Sequence, residues 1–265
     1  MNWFERYCLI LRPVDQEKIK VSIVNYTNTL PFKWALKRSS LLNRIDLQED
    51  IPSICAQKLK FGQVDLALVP VALLPELENY TIVSKFCIGA KGKVDTVKLY
   101  SRVPLSDIKE VFLDYQSKSS NALAKVLFQH FWKLPMQYKE ALPGFEKNVT
   151  GHHAIVVIGD RTFELNGKFP YEYDLAEEWQ KVSGLPFVFA CWVATKPLDV
   201  VLLKQFDECL AYGVEHIASA VEDMGNESPV NKQNTLDYLT TRIDYSFDEE
   251  KQKALALFLK LMETL

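Results

Sequence analysis

Glycine is scarce in this chain, with ten in 265 residues. None falls into G-x-x-x-x-G-K-[ST] or G-x-G-x-x-G, so the phosphate-cradling loops of the common ATP and dinucleotide sites are missing. Histidine is scarcer still, at four. The one adjacent pair, His152-His153, would project to different faces of a strand or helix, which argues against shared metal ligation. The five cysteines, Cys8, Cys55, Cys87, Cys191 and Cys209, are odd in number and widely separated. With no C-x-x-C among them, they read as buried reduced thiols. The hydrolase elbow G-x-S-x-G and the zinc-protease motif H-E-x-x-H are absent too. The longest apolar stretch, Leu185 to Ala194, contains Pro186 and is far short of the ~20 residues that span a bilayer, so no membrane partner is expected. Nor is charge of one sign in excess: 31 basic against 34 acidic residues leave a net charge of -3 and no uniformly basic surface for nucleic acid. The apolar patch Tyr7 to Leu11 is framed by Glu5 and by Arg12-Pro13, too short for a secretory signal. Residues 1–17 are therefore read as an N-terminal extension of a cytoplasmic protein.

What is present is an ordinary globular composition, 48% hydrophobic and 25% charged, in a chain longer than the usual domain of ~100–150 residues. Its recurring unit is a strand, a polar loop and a helix. Val21, Ile23 and Val24 form a strand that breaks into Asn25-Tyr26-Thr27-Asn28-Thr29-Leu30-Pro31, and Phe32, Trp34, Ala35 and Leu36 begin a helix. Pro31 suits the first turn of that helix and Asn28 or Thr29 its N-cap. A second helix opens at Asp50-Ile51-Pro52-Ser53, and an apolar strand follows over Val64 to Val69. Another strand is expected from Val94 to Tyr100. The unit then repeats: strand Val111 to Asp114, loop Tyr115 to Asn121, helix through Leu123, Val126 and Leu127. Ala154 to Ile158 is a buried strand ending in Gly159-Asp160. Tyr173 to Ser183 is a helix, Leu185 to Ala194 is extended, and the remainder is mostly helical by periodicity.

Alternating strands and helices predict open, largely parallel sheets with a ligand at the carboxyl ends of the strands. Counting units gives two lobes around a cleft: residues 18–101 and 196–265 as lobe I, and 102–195 as lobe II. The polar, uncharged loops before helices, at Asn28-Thr29, Ser53 and Ser117 to Asn121, are suited to hold a carboxylate or phosphate at exposed backbone N–H groups. The same residue types cap helices in most proteins, and spacing leaves both roles open. Asp160 likewise suits either catalysis or a turn.

Several segments together resemble a known family. Asn25-Tyr26-Thr27-Asn28-Thr29-Leu30-Pro31-Phe32, Gly92-Lys93-Val94-Asp95-Thr96-Val97, Leu113-Asp114-Tyr115-Gln116-Ser117-Lys118-Ser119-Ser120, Ile158-Gly159-Asp160, Tyr173-Asp174-Leu175, Trp179, and Gly184-Leu185-Pro186-Phe187-Val188-Phe189-Ala190-Cys191-Trp192 occur in order. Over about residues 18–196 this is similar to the chorismate dehydratases of the futalosine route to menaquinone. Thr27 stands where that family commonly has Leu, Thr96 where Ser is usual and Ser119 where Thr is usual. The sister 1,4-dihydroxy-6-naphthoate synthases share the fold, but their first loop resembles P-N-D rather than Asn28-Thr29-Leu30-Pro31.

The resemblance implies a type II periplasmic-binding-protein-like α/β fold, each lobe a mixed sheet flanked by helices. It implies a lyase that converts chorismate to 3-[(1-carboxyvinyl)oxy]benzoate and water, with no metal or other cofactor. Asn28 and Thr96 would be catalytic; Thr29, Ser117, Ser119, Ser120, Asn121 and Asp160 would bind the dianionic substrate. No histidine, lysine or carboxylate pair in the motif loops stands out as a base, so a substrate carboxylate or Asp160 would take the proton. The alternatives are a non-catalytic binding protein for a carboxylated aromatic metabolite, and the sister naphthoate synthase.

Overall fold

A computed structural model describes residues 17–265. Cys8 and nearly all of the expected N-terminal extension lie outside the described residues.

The chain begins with β1 (Ile19–Val24), α1 (Leu30–Arg38), β2 (Ile45–Asp50), α2 (Pro52–Lys60), β3 (Leu66–Pro70) and β4 (Thr81–Ala90). A second set follows: β5 (Val97–Ser101), β6 (Glu110–Leu113), α3 (Lys118–Val126), β7 (Gln137–Glu140), β8 (His153–Ile158), α4 (Arg161–Leu165), β9 (Tyr171–Asp174) and α5 (Leu175–Ser183). The chain returns through β10 (Phe187–Ala194) and closes with α6 (Val200–Glu215), α7 (Ile217–Met224), α8 (Lys232–Thr241), β11 (Asp244–Ser246) and α9 (Glu249–Met262).

Two mixed sheets result, with strand orders β11-β4-β10-β3-β1-β2 and β7-β6-β8-β5-β9. Apart from β11 the two have one plan. In each sheet one strand, β1 or β6, lies parallel between the two strands that follow it in the chain, β2 and β3 or β7 and β8. The fourth position in each is an antiparallel strand, β10 or β5, that pairs on its other side with β4 or β9. The repeated unit of the sequence is thus a repeated sheet, mixed rather than largely parallel.

This plan corrects the expected lobe limits. Val97–Ser101 belongs to the second sheet and Phe187–Ala194 to the first, so the chain crosses at residues 91–96 and 184–186. Unit counting assigned each of these strands to the sheet it leaves, whereas each is an antiparallel insertion into the sheet it enters. The crossings are adjacent because Phe187 pairs with Ala90 at the lobe boundary. Gly184 ends α5 with a φ of 73°, a left-handed turn that glycine adopts without a Cβ penalty.

Every residue of β3 and β10 is buried, which is why both read as continuous apolar runs. A core joining Val21, Leu68, Trp192 and Phe206 to Leu123, Val156 and Trp179 runs through both lobes. Cys55, Cys87 and Cys191 are buried free thiols and Cys209 is a half-buried one, in line with the sequence reading. No described helix is long and apolar enough to cross a membrane.

Candidate functional site

The carboxyl ends of β1, β3, β6 and β8 meet around a cavity of about 50 Å³ between the sheets. From the first sheet it is lined by Tyr26, Asn28, Ile88 and Phe189, and from the second by Ser117, Ser120, Ile158 and Gly159, with Val94 and Thr96 of the crossing between them. The volume is below the ~150 Å³ that receives a benzene ring. Among the described residues, Tyr26 is the only one in the lining with an ionisable side chain.

Thr96 reaches this cavity through an unusual backbone. Asp95 has a φ of 66°, a left-handed conformation that Asp tolerates better than most residues. Three side chains hold it there. Its carboxylate accepts from Arg242 at 2.5 Å and pairs with Lys93 at 2.7 Å. Its N–H donates to the buried Asp174 carboxylate at 2.6 Å, which also accepts from Val94, Ala176 and Glu177. Asp174 thus caps α5 and fixes the crossing with the same side chain. Burial pushes its carboxyl above the usual range while these N–H groups pull the other way. The Thr96 hydroxyl lies 2.7 Å from the Tyr238 hydroxyl.

Asn28 sits in the short turn before α1. Its backbone carbonyl accepts from Tyr245 at 3.0 Å, but its buried Oδ1 has no partner among the described residues. On the facing lobe, Ser117 is the N-cap of α3. Its hydroxyl accepts from the Ser120 N–H at 3.2 Å and donates to the Ser120 hydroxyl at 2.9 Å. Because a hydroxyl carries one proton and two acceptor sites, this leaves the Ser120 proton available to the cavity.

Four residues expected at the site are turned elsewhere. The Thr29 hydroxyl donates to Val24 and Tyr26 carbonyls within the turn, at 2.5 and 2.9 Å, and makes no side-chain cap to α1. Ser119 accepts from the Ala72 N–H at 3.2 Å and donates to the Phe189 carbonyl at 3.0 Å, tying α3 to the first lobe. The Asn121 amide is committed to both backbone groups of Asp114, at 2.9 and 2.8 Å. Ser53 lies inside α2.

Asp160 is also displaced from the cavity. Its two oxygens accept from the Thr27 N–H at 3.3 and 3.2 Å, a contact between the lobes. It lines a separate polar cavity on the other side of Tyr26, with Lys33, Glu49 and Glu227. Burial raises its carboxyl above the usual range, opposed by the Thr27 contacts. Beside it, the Tyr26 hydroxyl donates to Gln116 Oε1 in another link between the lobes, and burial pushes the Tyr26 phenol well above its ordinary value. Sequence reasoning named neither Tyr26 nor Tyr238 as a site residue. Tyr26 stood in the quoted motif; Tyr238 had no local signal.

Among the described residues no group of three or more His, Cys, Asp or Glu side chains is placed to hold a metal ion. His152 and His153 contact different partners, the Asp107 carbonyl and the Glu110 carboxylate.

The chain matches a family model described as menaquinone biosynthesis over residues 19–264. It is 27% identical over 190 residues to the chorismate dehydratase of Campylobacter jejuni, covering 69% of this chain and 71% of that protein. It is 23% identical over 222 residues to the chorismate dehydratase of Thermus thermophilus, covering 76% and 80%. Among solved structures it resembles a protein of Archaeoglobus fulgidus with a TM-score of 0.75 and 14% identity, over 93% of this chain and 97% of the other. A Candida albicans protein described as having the generic periplasmic binding protein fold gives 0.68 and 11%, over 94% and 90%. The periplasmic aliphatic sulphonate binding protein of Escherichia coli gives 0.61 and 13%, over 94% and 86%. The fold is that of the periplasmic binding proteins, as the motifs implied.

Proposed function

The chain belongs to the menaquinone-biosynthesis family, and from that membership we propose that it is a chorismate dehydratase. The reaction converts chorismate to 3-[(1-carboxyvinyl)oxy]benzoate and water. A ring C–H bond breaks, its electron pair becomes a ring double bond, and the neighbouring C–O bond breaks. The hydroxyl takes up a proton and leaves as water, and the ring becomes aromatic. Aromatisation supplies much of the driving force, so the protein's part is to bind, orient and exclude water.

The observation that carries this reading is the character of the lining. Neutral polar groups, among them the hydroxyls of Thr96 and Ser120 and the Asn28 amide, converge in an otherwise largely apolar cavity. A dianion is held there by directed hydrogen bonds rather than by cations. Ser120, with the N–H groups at the start of α3, holds one carboxylate. Thr96 donates to the second carboxylate or to the departing hydroxyl, and Asn28 faces the ring hydroxyl. Among the described residues the lining contains no carboxylate, imidazole or amine. A carboxylate of the substrate therefore takes the ring proton, in preference to Asp160, which is held by Thr27 outside the cavity. Ser117 fixes Ser120, while Thr29, Ser119 and Asn121 support the loops that carry the contacts.

Mass spectrometry of chorismate incubated with the pure protein tests this reading. The expected product is chorismate less one water; recovery of unchanged chorismate would leave a binding protein as the better reading. A protein that instead consumed a cyclic futalosine-derived substrate would be the sister naphthoate synthase.

A further inference from the structure

We infer that Tyr238 is a positioning residue that turns the Thr96 hydroxyl into a hydrogen-bond donor aimed at the ligand; this rests on the dehydratase reading and adds to it a residue 142 positions from Thr96 in sequence. Tyr238 is carried by α8, near the end of the chain, and is 5% exposed. Its ring packs edge-on against Phe163 of α4 in the opposite lobe, with centroids 5.4 Å apart and planes at 87°. The phenol is thereby held where the two lobes and the crossing meet.

The inferred direction of the Thr96 to Tyr238 hydrogen bond rests on which of the two hydroxyls lines the cavity. Each hydroxyl has one proton to donate. The Tyr238 hydroxyl has Thr96 Oγ1 at 2.7 Å, with the Asn28 amide also within its reach as a donor to the phenol oxygen. The 2.7 Å separation serves either direction, and a buried O–H with no acceptor is costly; because Thr96 lines the cavity and Tyr238 does not, the arrangement in which the phenol donates leaves the unpaired proton where a ligand can accept it. The Thr96 proton then has no acceptor among the described residues and faces the cavity, where Thr96 is a lining residue. The Asn28 amide lies beside the same phenol, and its buried Oδ1 lacks a donor among the described residues. Closed around a ligand, the site thus presents a donor at Thr96 and an acceptor at Asn28, matching a carboxylate and a hydroxyl on the ligand. Without the phenol, the Thr96 hydroxyl is free to rotate and to donate elsewhere.

A double-mutant cycle tests this with the full chain, using Tyr238→Phe, Thr96→Val and the double variant. Tyr238→Phe keeps the ring and its packing on Phe163. The expected result is a kcat lowered about tenfold or more by Tyr238→Phe, with KM little changed. Because Tyr238 acts through Thr96, the double variant should be no slower than Thr96→Val alone. In a Thr96→Ser background, which restores the hydroxyl, Tyr238→Phe should again cost about the same factor. Wild-type kcat in Tyr238→Phe, or losses that multiply in the double variant, would overturn the inference. If the parent chain leaves chorismate unchanged, the dehydratase reading fails, and the cycle is read instead from calorimetric affinity for 3-[(1-carboxyvinyl)oxy]benzoate. There, weaker binding in each single variant with no further loss in the double supports the inference, and equal behaviour of all four proteins overturns it.

Discussion

The ring of Tyr26, in one lobe, lies directly against the α-carbon of Gly159 in the other. A Cβ at residue 159 would fall 2.9 Å from Tyr26 Cε2 and 3.0 Å from its Cζ. The ring has little room to yield, because its hydroxyl is bound to Gln116. Gly159 also has a φ of 66°, which costs a residue with a side chain roughly 1–2 kcal/mol. Gly159→Ala is therefore expected to lower the melting temperature by about 2–4 °C or more and to hold the lobes apart. Small-angle scattering should show a larger radius of gyration for this variant in the presence of product, and KM should rise more than kcat falls. An unchanged KM would mean that this contact plays no part in closure.

Asn28 and Thr96 should both matter for the chemistry; Asn28→Ala should cost little stability, whereas Thr96→Ala also leaves the buried Tyr238 hydroxyl without its partner, at about 1–3 kcal/mol. Asn28→Ala and Thr96→Ala each remove a polar group facing the cavity, and losses of about 10²–10³ in kcat are expected for a contact realised mainly in the transition state. Thr96→Ser retains the hydroxyl and should stay within about tenfold of the parent, the smaller effect reflecting freer rotation of serine. Steady-state kinetics and thermal melts on the same samples check both parts.

Asp160→Asn separates a base from a lobe-bridging contact. Burial raises the Asp160 carboxyl in the folded chain, so the folded state retains the proton above the unfolded value of about 3.9. The sign follows directly: stability falls as pH rises from there through the raised value, because ionising this group inside the fold is unfavourable. The amide introduced by Asp160→Asn carries no such penalty, and its carbonyl can still accept from the Thr27 N–H. The variant should melt at or above the parent near pH ~7 and converge with it near pH ~4. Chorismate conversion should persist; its abolition in a folded variant would identify Asp160 as the base.

Thr29→Val, Ser119→Ala and Asn121→Ala remove hydrogen bonds made to backbone groups, and each should cost about 0.5–1.5 kcal/mol of stability. Chemical denaturation measures this. Their kcat values should fall far less than that of Ser120→Ala, which removes a group facing the cavity. A Thr29→Val chain as slow as Asn28→Ala would place the Thr29 hydroxyl on the ligand after all.

The strand, polar loop and helix units from Lys20 and from Val111 were legible because their inner strands are buried on both faces and their loops carry cap-forming residues. Other strands carry weaker patterns. Ile45–Asp50 is an edge strand of mixed, partly exposed residues, and Thr81–Ala90 is interrupted by shifts in its pairing with β10. At the site, residue types identified which loops meet but not which way each hydroxyl points. Thr29 and Asn28 are neighbours, yet the short turn directs one side chain to the backbone and exposes the other to the cavity. Tyr238 was illegible for a different reason: its role depends on a helix brought to Thr96 only by the tertiary fold.

Proton NMR of chorismate mixed with the purified protein tests the central claim most directly. The account predicts that the ring signals of chorismate disappear with the growth of aromatic signals from 3-[(1-carboxyvinyl)oxy]benzoate, in equal amounts and without added cofactor, and that Asn28→Ala slows the change. Chorismate that persists unchanged beside the folded protein would contradict it.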